Sequence, residues 1–172
     1  VLVGIDDKIV NKDVVTKDMP HDKFALTGNM YYNEGVNYLL RTVLSNPNIR
    51  YIIMCGVDIA KSGETVMRLM ERGINGHQVV GTAVELEKEI PEEAIELFRK
   101  NVQVIDMRNI VDSKKILEKI NSLEPKDAFA QPQTFPIPPP AKVDVYTSEK
   151  TGFLVRDKTV AGAWYQILNL VM

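Results

Sequence analysis

The chain has one cysteine, two histidines and one tryptophan among 172 residues. A single cysteine excludes an internal disulfide and a cysteine-built zinc cluster, and it suits a reducing, cytoplasmic compartment. His21 and His77 stand far apart, in neither of the spacings by which two histidines share a metal on a helix or strand, so no metal site is expected. No apolar run approaches the roughly 18 residues that cross a bilayer, and no signal-peptide pattern opens the chain. An excess of either charge is missing too. Lysine and arginine number 21 against 23 aspartates and glutamates, a formal charge of -2. That removes the electrostatic reason to expect nucleic acid as a partner.

What is present describes a globular protein: 45% hydrophobic and 26% charged residues, enough for one core of ordinary size with a small appendage. The chain opens on Val1 and stops inside an apolar helical pattern at residues 168–172. Both ends suggest a piece of a longer protein.

Periodicity organises the chain. Residues 1–5 suit a first strand, residues 6–22 are mostly polar with Val14 and Val15 as a short edge segment, and residues 24–27 suit a second strand ending in a Gly28-Asn29 turn. Val36, Leu39, Leu40, Val43 and Leu44 form the stripe of an amphipathic helix, with Asn33 as N-cap and Pro47 past its end. Residues 51–54 are a continuous apolar strand of the kind buried on both faces in parallel sheets. A helix over 63–72 turns Val66, Leu69 and Met70 inward and ends at Gly73. Residues 78–81 suit a strand. Pro91 opens a helix burying Ala94, Ile95 and Phe98. Residues 102–105 suit another strand, and Asp112 or Ser113 caps a helix through Ile120.

This alternation predicts an α/β fold, a Rossmann-like three-layer sandwich with a mostly parallel sheet and right-handed crossovers. The organisation changes after Ser122. Residues 124–140 carry six of the nine prolines, and with Phe129, Phe135 and Ile137 they suit a strap laid over the domain. Residues 143–146 and 153–155 then bracket a β-hairpin turn. A C-terminal helix presents Val160, Ala163, Trp164, Ile167, Leu168, Val171 and Met172 on one broad face, which wants a partner. The expected parts are therefore a Rossmann-like domain over 1–122, a proline-rich strap or linker over 123–142, and a hairpin and helix over 143–172.

In open α/β sheets ligands sit at the strands' carboxyl ends, which directs attention to residues 55–64. Gly56 and Gly63 permit close backbone approach, and the helix after them presents free N–H groups and a positive dipole end. Asp58, Lys61 and Ser62 add charge and a hydroxyl. The loop matches neither the dinucleotide nor the P-loop glycine pattern, and a plain turn with Ser62 capping a helix is the competing reading. Cys55 reads as a buried structural residue, because no histidine is near in sequence to act as base. Gly28 and Asn29, followed by Tyr31 and Tyr32, should reach the same edge and line a pocket for a flat ligand, or form a capping turn. His77 belongs to an exposed turn. Residues 85–89 read as a solvated face, and Glu92-Glu93 as first-turn acids. No nucleophile–base pair can be assembled, so the piece is not expected to be catalytic alone.

Several segments resemble one family in order. Leu26-Thr-Gly-Asn, then Ser45-Asn-Pro-Asn-Ile-Arg-Tyr-Ile-Ile-Met-Cys-Gly, then Gly63-Glu64 opening a helix that ends Glu71-Arg-Gly-Ile, are similar to the A subunit of tetrahydromethanopterin S-methyltransferase. Ile90-Pro-Glu-Glu-Ala-Ile-Glu-Leu-Phe-Arg-Lys-Asn-Val-Gln-Val-Ile-Asp106 continues the likeness, which covers about residues 1–121. The resemblance implies a Rossmann-like domain of archaeal C1 metabolism that carries a corrinoid, with a histidine in the loop after the Cys-Gly strand as cobalt's lower ligand. Here the corresponding places hold Ala60, Lys61 and Ser62, so no histidine carries over.

Residues 153–172 resemble the opening segment of archaeal-type thymidylate synthases. Together the two likenesses lead to the expectation of an accessory N-terminal domain of a thymidylate synthase-like protein. It would bind a small anionic or pterin-type ligand through Gly28, Asn29, Cys55, Gly56, Asp58, Lys61, Ser62 and Gly63. A following catalytic domain, or a homodimer partner, would cover the C-terminal helix. The alternatives are a corrinoid-binding methyl-transfer domain without the usual histidine ligand, and a dimerisation module without catalysis.

Overall fold

The computed structural model describes residues 2–4 and 19–138, all within a compact unit of residues 1–138; residues 139–172 form a second unit. The expected edge segment at Val14 and Val15, the hairpin over 143–155 and the C-terminal helix lie outside the described residues.

The fold is α/β with a small parallel sheet. Strands β1 (Leu2–Gly4), β2 (Thr27–Asn29), β3 (Tyr51–Gly56) and β6 (Gln103–Arg108) lie in the order β2-β1-β3-β6, every pair parallel. Helices α1 (Gly35–Ser45), α2 (Ser62–Arg72), α3 (Glu92–Asn101) and α4 (Ser113–Asn121) connect or follow them. A small antiparallel hairpin, β4 (Ile74–Asn75) with β5 (Gln78–Val79), stands apart from the main sheet.

Strand β3 divides the core because alternate side chains point to opposite faces. Ile52 and Met54 join α1, α2 and α3 through Leu40, Val66, Leu69, Ile95 and Phe98. Ile53 and Cys55 join Ile116 of α4, with Met19, Phe24 and Leu117. The connection from β1 to β2 supplies Met19 and Phe24 to one face, while α1, returning past β1 to β3, lies on the other. Right-handed crossovers running in opposite directions require that distribution.

The four amphipathic helices form over the stripes that the sequence presents. Asp112 caps α4, its side chain accepting from the Lys114 N–H. Five local expectations change. Strand β2 begins at Thr27 and contains Gly28-Asn29, because pairing with β1 sets its place; Phe24 instead packs into the second core. Asn33 does not cap α1, whose N-cap Glu34 makes no side-chain cap; the Asn33 carboxamide accepts from the Thr65 hydroxyl. The expected strand over 78–81 shrinks to two residues paired with β4, since Asn75-Gly76-His77 turns the chain back on itself. There His77 is half-buried, its Nδ1 enclosed and without a partner among the described residues, not freely exposed.

The fifth change is in residues 85–89. Leu86 is buried and Glu87 is paired with Arg41, so this stretch is anchored to α1 and is not a solvated face. The buried Asn37 adds an acceptor for the Glu87 N–H. Arg41 also donates to the Phe135 carbonyl at 2.9 Å.

Residues 124–138 run back along the domain. The Phe129 N–H reaches the Pro47 carbonyl, and the Gln133 N–H reaches the Leu44 carbonyl. Tyr51 donates to Glu124 and Arg50 to Asp127 through their carbonyls. Prolines supply acceptors but no donors, so cationic side chains of the domain do part of the fastening.

Gly73 marks a tight junction at the end of α2. Its φ is +73°, and a Cβ there would come within 2.7 Å of the Arg99 guanidinium.

Replacing Arg41 by methionine strands the Glu87 carboxylate and the Phe135 carbonyl, and should lower stability by about 2 kcal/mol in urea unfolding. The double change Arg41→Met with Glu87→Met should recover part of that loss, because no unpaired charge remains.

Candidate functional site

All four parallel strands end at one edge. In the register, Gly4 lies beside both Asn29 and Cys55, and Gly56 lies beside Arg108. The strand order reverses direction at β1, and such switch points favour ligand crevices at the carboxyl ends. The predicted residues Gly28, Asn29, Cys55 and Gly56 are thus brought to this edge. Asp58, Lys61, Ser62 and Gly63 follow in the loop into α2.

Within the loop, Asp58 is the organising residue. Its Oδ1 accepts from the Gly63 N–H at 3.1 Å and its Oδ2 from the Glu64 N–H at 2.7 Å. Two of the helix N–H groups expected to face a ligand are therefore taken by the chain's own carboxylate, which is also the charge the helix dipole favours there. Arg108 of β6 reaches the same Oδ2 at 3.3 Å, tying the loop to the neighbouring strand. The Arg108 guanidinium is held chiefly by Asp106, through Nε to Oδ1 at 2.9 Å and Nη2 to Oδ2 at 2.7 Å. This hydrogen bonding lowers the Asp106 pKa against a partial opposing effect of burial, and it raises that of Arg108.

Lys61 immediately precedes α2 in the left-handed conformation, φ 58° and ψ 21°, and caps nothing with its side chain. Ser62 is fully buried and donates to the Met30 carbonyl at 3.1 Å, joining this loop to the one after β2. It does not act as the N-cap. The strand closes through Gly56, whose φ is +85°. Its N–H donates to the Ile110 carbonyl, and its carbonyl accepts from Asn109 at 2.7 Å.

Cys55 lies in the second core at 1% exposure, and burial pushes its thiol pKa up from 9.0 to about 11. It is a packed side chain under the edge and not a reactive one at neutral pH.

Between the β3–α2 loop and the end of β6 lies a cleft of about 520 Å³, lined by Asp58, Lys61, Glu64, Asp106, Arg108 and Asn109 among others. Three carboxylates face two cations, so the cleft offers a mixed polar surface and no anion trap. Among the described residues no group of His, Cys, Asp and Glu could hold a metal ion. The β6 residues were missing from the sequence-based site because the apolar run ends at Ile105. Strand register carries β6 three residues further, and the alternation of Asp106 with Arg108 onto one face was the available signal. Gly28 and Asn29 border a second cavity, on the α1 side of β2.

These features define a parallel α/β domain whose loops converge on a polar cleft at the carboxyl edge. The family model for the A subunit of tetrahydromethanopterin S-methyltransferase matches residues 9–136, and the chain belongs to that family. It is 30% identical over 113 residues to the second of the numbered A subunits from Methanothermobacter marburgensis, covering 62% of this chain and 61% of that protein. It is 32% identical over 113 residues to the A subunit from Methanosphaera stadtmanae, covering 62% and 45%. Against the Methanosarcina barkeri A subunit it is 30% identical over 111 residues, covering 62% and 46%. The chain thus spans less than two thirds of the length of each of these relatives.

This membership overturns the expectation of a thymidylate synthase accessory domain with a small anionic or pterin-type ligand. The synthase-like tail lies beyond the matched residues, and its likeness gains no support. No helix among the described residues is long and apolar enough to cross a membrane.

Exchanging Asp58 for alanine removes both cap bonds and the link to Arg108, and should cost about 1–2 kcal/mol in urea unfolding. The buried thiol sets a pH dependence. Its folded-state pKa is raised, so its contribution is fully present below pH 9.0 and declines as pH rises toward about 11, where the unfolded chain ionises first. Unfolding free energies from pH 8 to 11 should fall more steeply for the native protein than for Cys55→Ala; parallel slopes would refute this account.

Proposed function

We propose that this chain is a methyl-transfer domain of the A-subunit type, a Rossmann-like sandwich that holds a corrinoid against the carboxyl edge of its sheet. The observation that carries this reading is the family match over residues 9–136, a span containing both loops of the cleft. The relatives' printed names supply the methyl-transfer part.

The donors present in the β3–α2 loop do not fit cobalt ligation. Both Asp58 oxygens accept from α2 and one also from Arg108, the Ser62 hydroxyl is spent on Met30, and a protonated Lys61 has no lone pair. The histidines of the sequence stand elsewhere, His21 in the turn before β2 and His77 between β4 and β5. If a corrinoid is held here, this chain's own residues would bind and orient it, and no nitrogen of this loop would serve cobalt. Lys61, exposed at the cleft, would meet polar groups of such a ligand, and Asp58 with Ser62 would keep the wall rigid, whereas Gly56 and Gly63 are buried behind it. Gly28 and Asn29 extend the same edge, and Cys55 supports it from below. A domain of this type works beside another polypeptide that supplies or accepts the methyl group.

Aquocobinamide, which has no nucleotide base of its own, is the discriminating probe. After mixing and desalting, its visible absorbance should remain with the protein in a fixed molar ratio. The reduced cob(II) form should show no nitrogen splitting in its electron paramagnetic resonance spectrum. Passage of all the colour into the small-molecule fraction would end the corrinoid reading, and a nitrogen splitting would end the account of ligation.

A further inference from the structure

We propose that a cavity at the amino edge of the sheet binds a small organic carboxylate with an apolar body. It holds about 330 Å³, within the range of small-ligand sites. Residues before β2, the start of β3, the end of α4 and the first residues of the strap enclose it. The polar cleft lies at the opposite ends of the strands and shares no residue with this cavity, so the two stand independently.

Its floor is apolar. Ile53 points to the α4 face of the sheet, where Phe24, Ile120 and Leu123 pack with it while only half-buried themselves, and all four border the cavity. Tyr51 stands two residues before Ile53 and so shares that face. Its ring carries the Lys126 ammonium 4.8 Å from the ring centre. Its hydroxyl donates to the Glu124 carbonyl at 2.9 Å, which fixes the strap as a wall beside the floor.

The wall supplies positive charge. Among the described residues Lys126 forms no ion pair. The Tyr51 ring takes one side of an ammonium that has three donors, which leaves N–H groups for an anion. Lys23 also borders the cavity, and it meets only its neighbour Asp22, at 3.9 Å in an exposed pair that costs little to part. Glu124 is the one acid on the lining and pairs with neither lysine. The Arg50 guanidinium is engaged elsewhere, by the carbonyls of Asn101 and Asp127. An apolar floor beside two available ammonium groups suits an anion that brings its own apolar surface; a bare inorganic ion would leave the floor wet.

The probe is 2-naphthoate, with its neutral isostere 2-naphthamide and inorganic phosphate as controls. In amide-resolved NMR titrations of the full chain, naphthoate should give saturable shifts centred on residues 23–25, 48–53 and 120–126. Naphthamide keeps the apolar body but loses the charge, and should bind about tenfold more weakly. Phosphate should give no saturable shift there. Lys126→Gln and Lys23→Gln alter exposed side chains, so each should keep the native spectrum while weakening naphthoate several-fold. Lys114→Gln, on α4 away from the cavity, should leave the affinity unchanged. Absence of saturable naphthoate shifts, shifts centred instead on the polar cleft, equal binding of naphthamide or phosphate, or undiminished affinity in both cavity variants would overturn the proposal.

Discussion

Strand β3 has solvent on neither face, and the rest of the domain follows from that. Five consecutive residues, Ile52 to Gly56, are buried, so helices or connections must cover both sides of the sheet. The α1–α3 side receives Ile52 and Met54, and the α4 side receives Ile53 and Cys55. A slip of one residue in its pairing would exchange the two sets. The same strand carries the site, because its last residues lead directly into the loop that Asp58 organises.

That loop is closed by internal electrostatics. The N-terminus of α2 attracts negative charge, and Asp58 supplies it from within the chain; Arg108 then connects the carboxylate to β6. Once these contacts form, the wall of the cleft is ordered without needing an external anion. What this edge presents to solvent is therefore exposed side chains and the shape of the cleft, with the Gly63 and Glu64 N–H groups already taken.

Much of the fold was legible in the sequence because burial has a period. Val36 to Leu44, Val66 with Leu69, and Ala94 to Phe98 each repeat at helical spacing, and all of them are buried but for slight exposure at a few. The parts that were not legible depend on partners distant in sequence. β2 is located by pairing with β1, although the more apolar Phe24 and Leu26 precede it. The polar end of β6 is a strand because β3 runs beside it to Gly56. Glu87 looks like one acid in a charged run until α1 brings Arg41 against it. At the site, the positions of the glycines were readable from strand and helix signals, whereas the cap was not. Lys61 turns left-handed and carries the chain so that a residue upstream, Asp58, faces the helix end. The family likeness over about residues 1–121 agrees with the match over 9–136, while the tail likeness has no comparable span behind it.

The Asp58 cap also separates two kinds of selection on one short segment. Because the start of α2 is fixed from upstream, Ile59, Ala60 and Lys61 contribute no side-chain hydrogen bond to the helix. Side chains at those three positions can therefore differ without removing the bonds that start the helix. The scaffold and the surface it presents are thus set by separate residues a few positions apart.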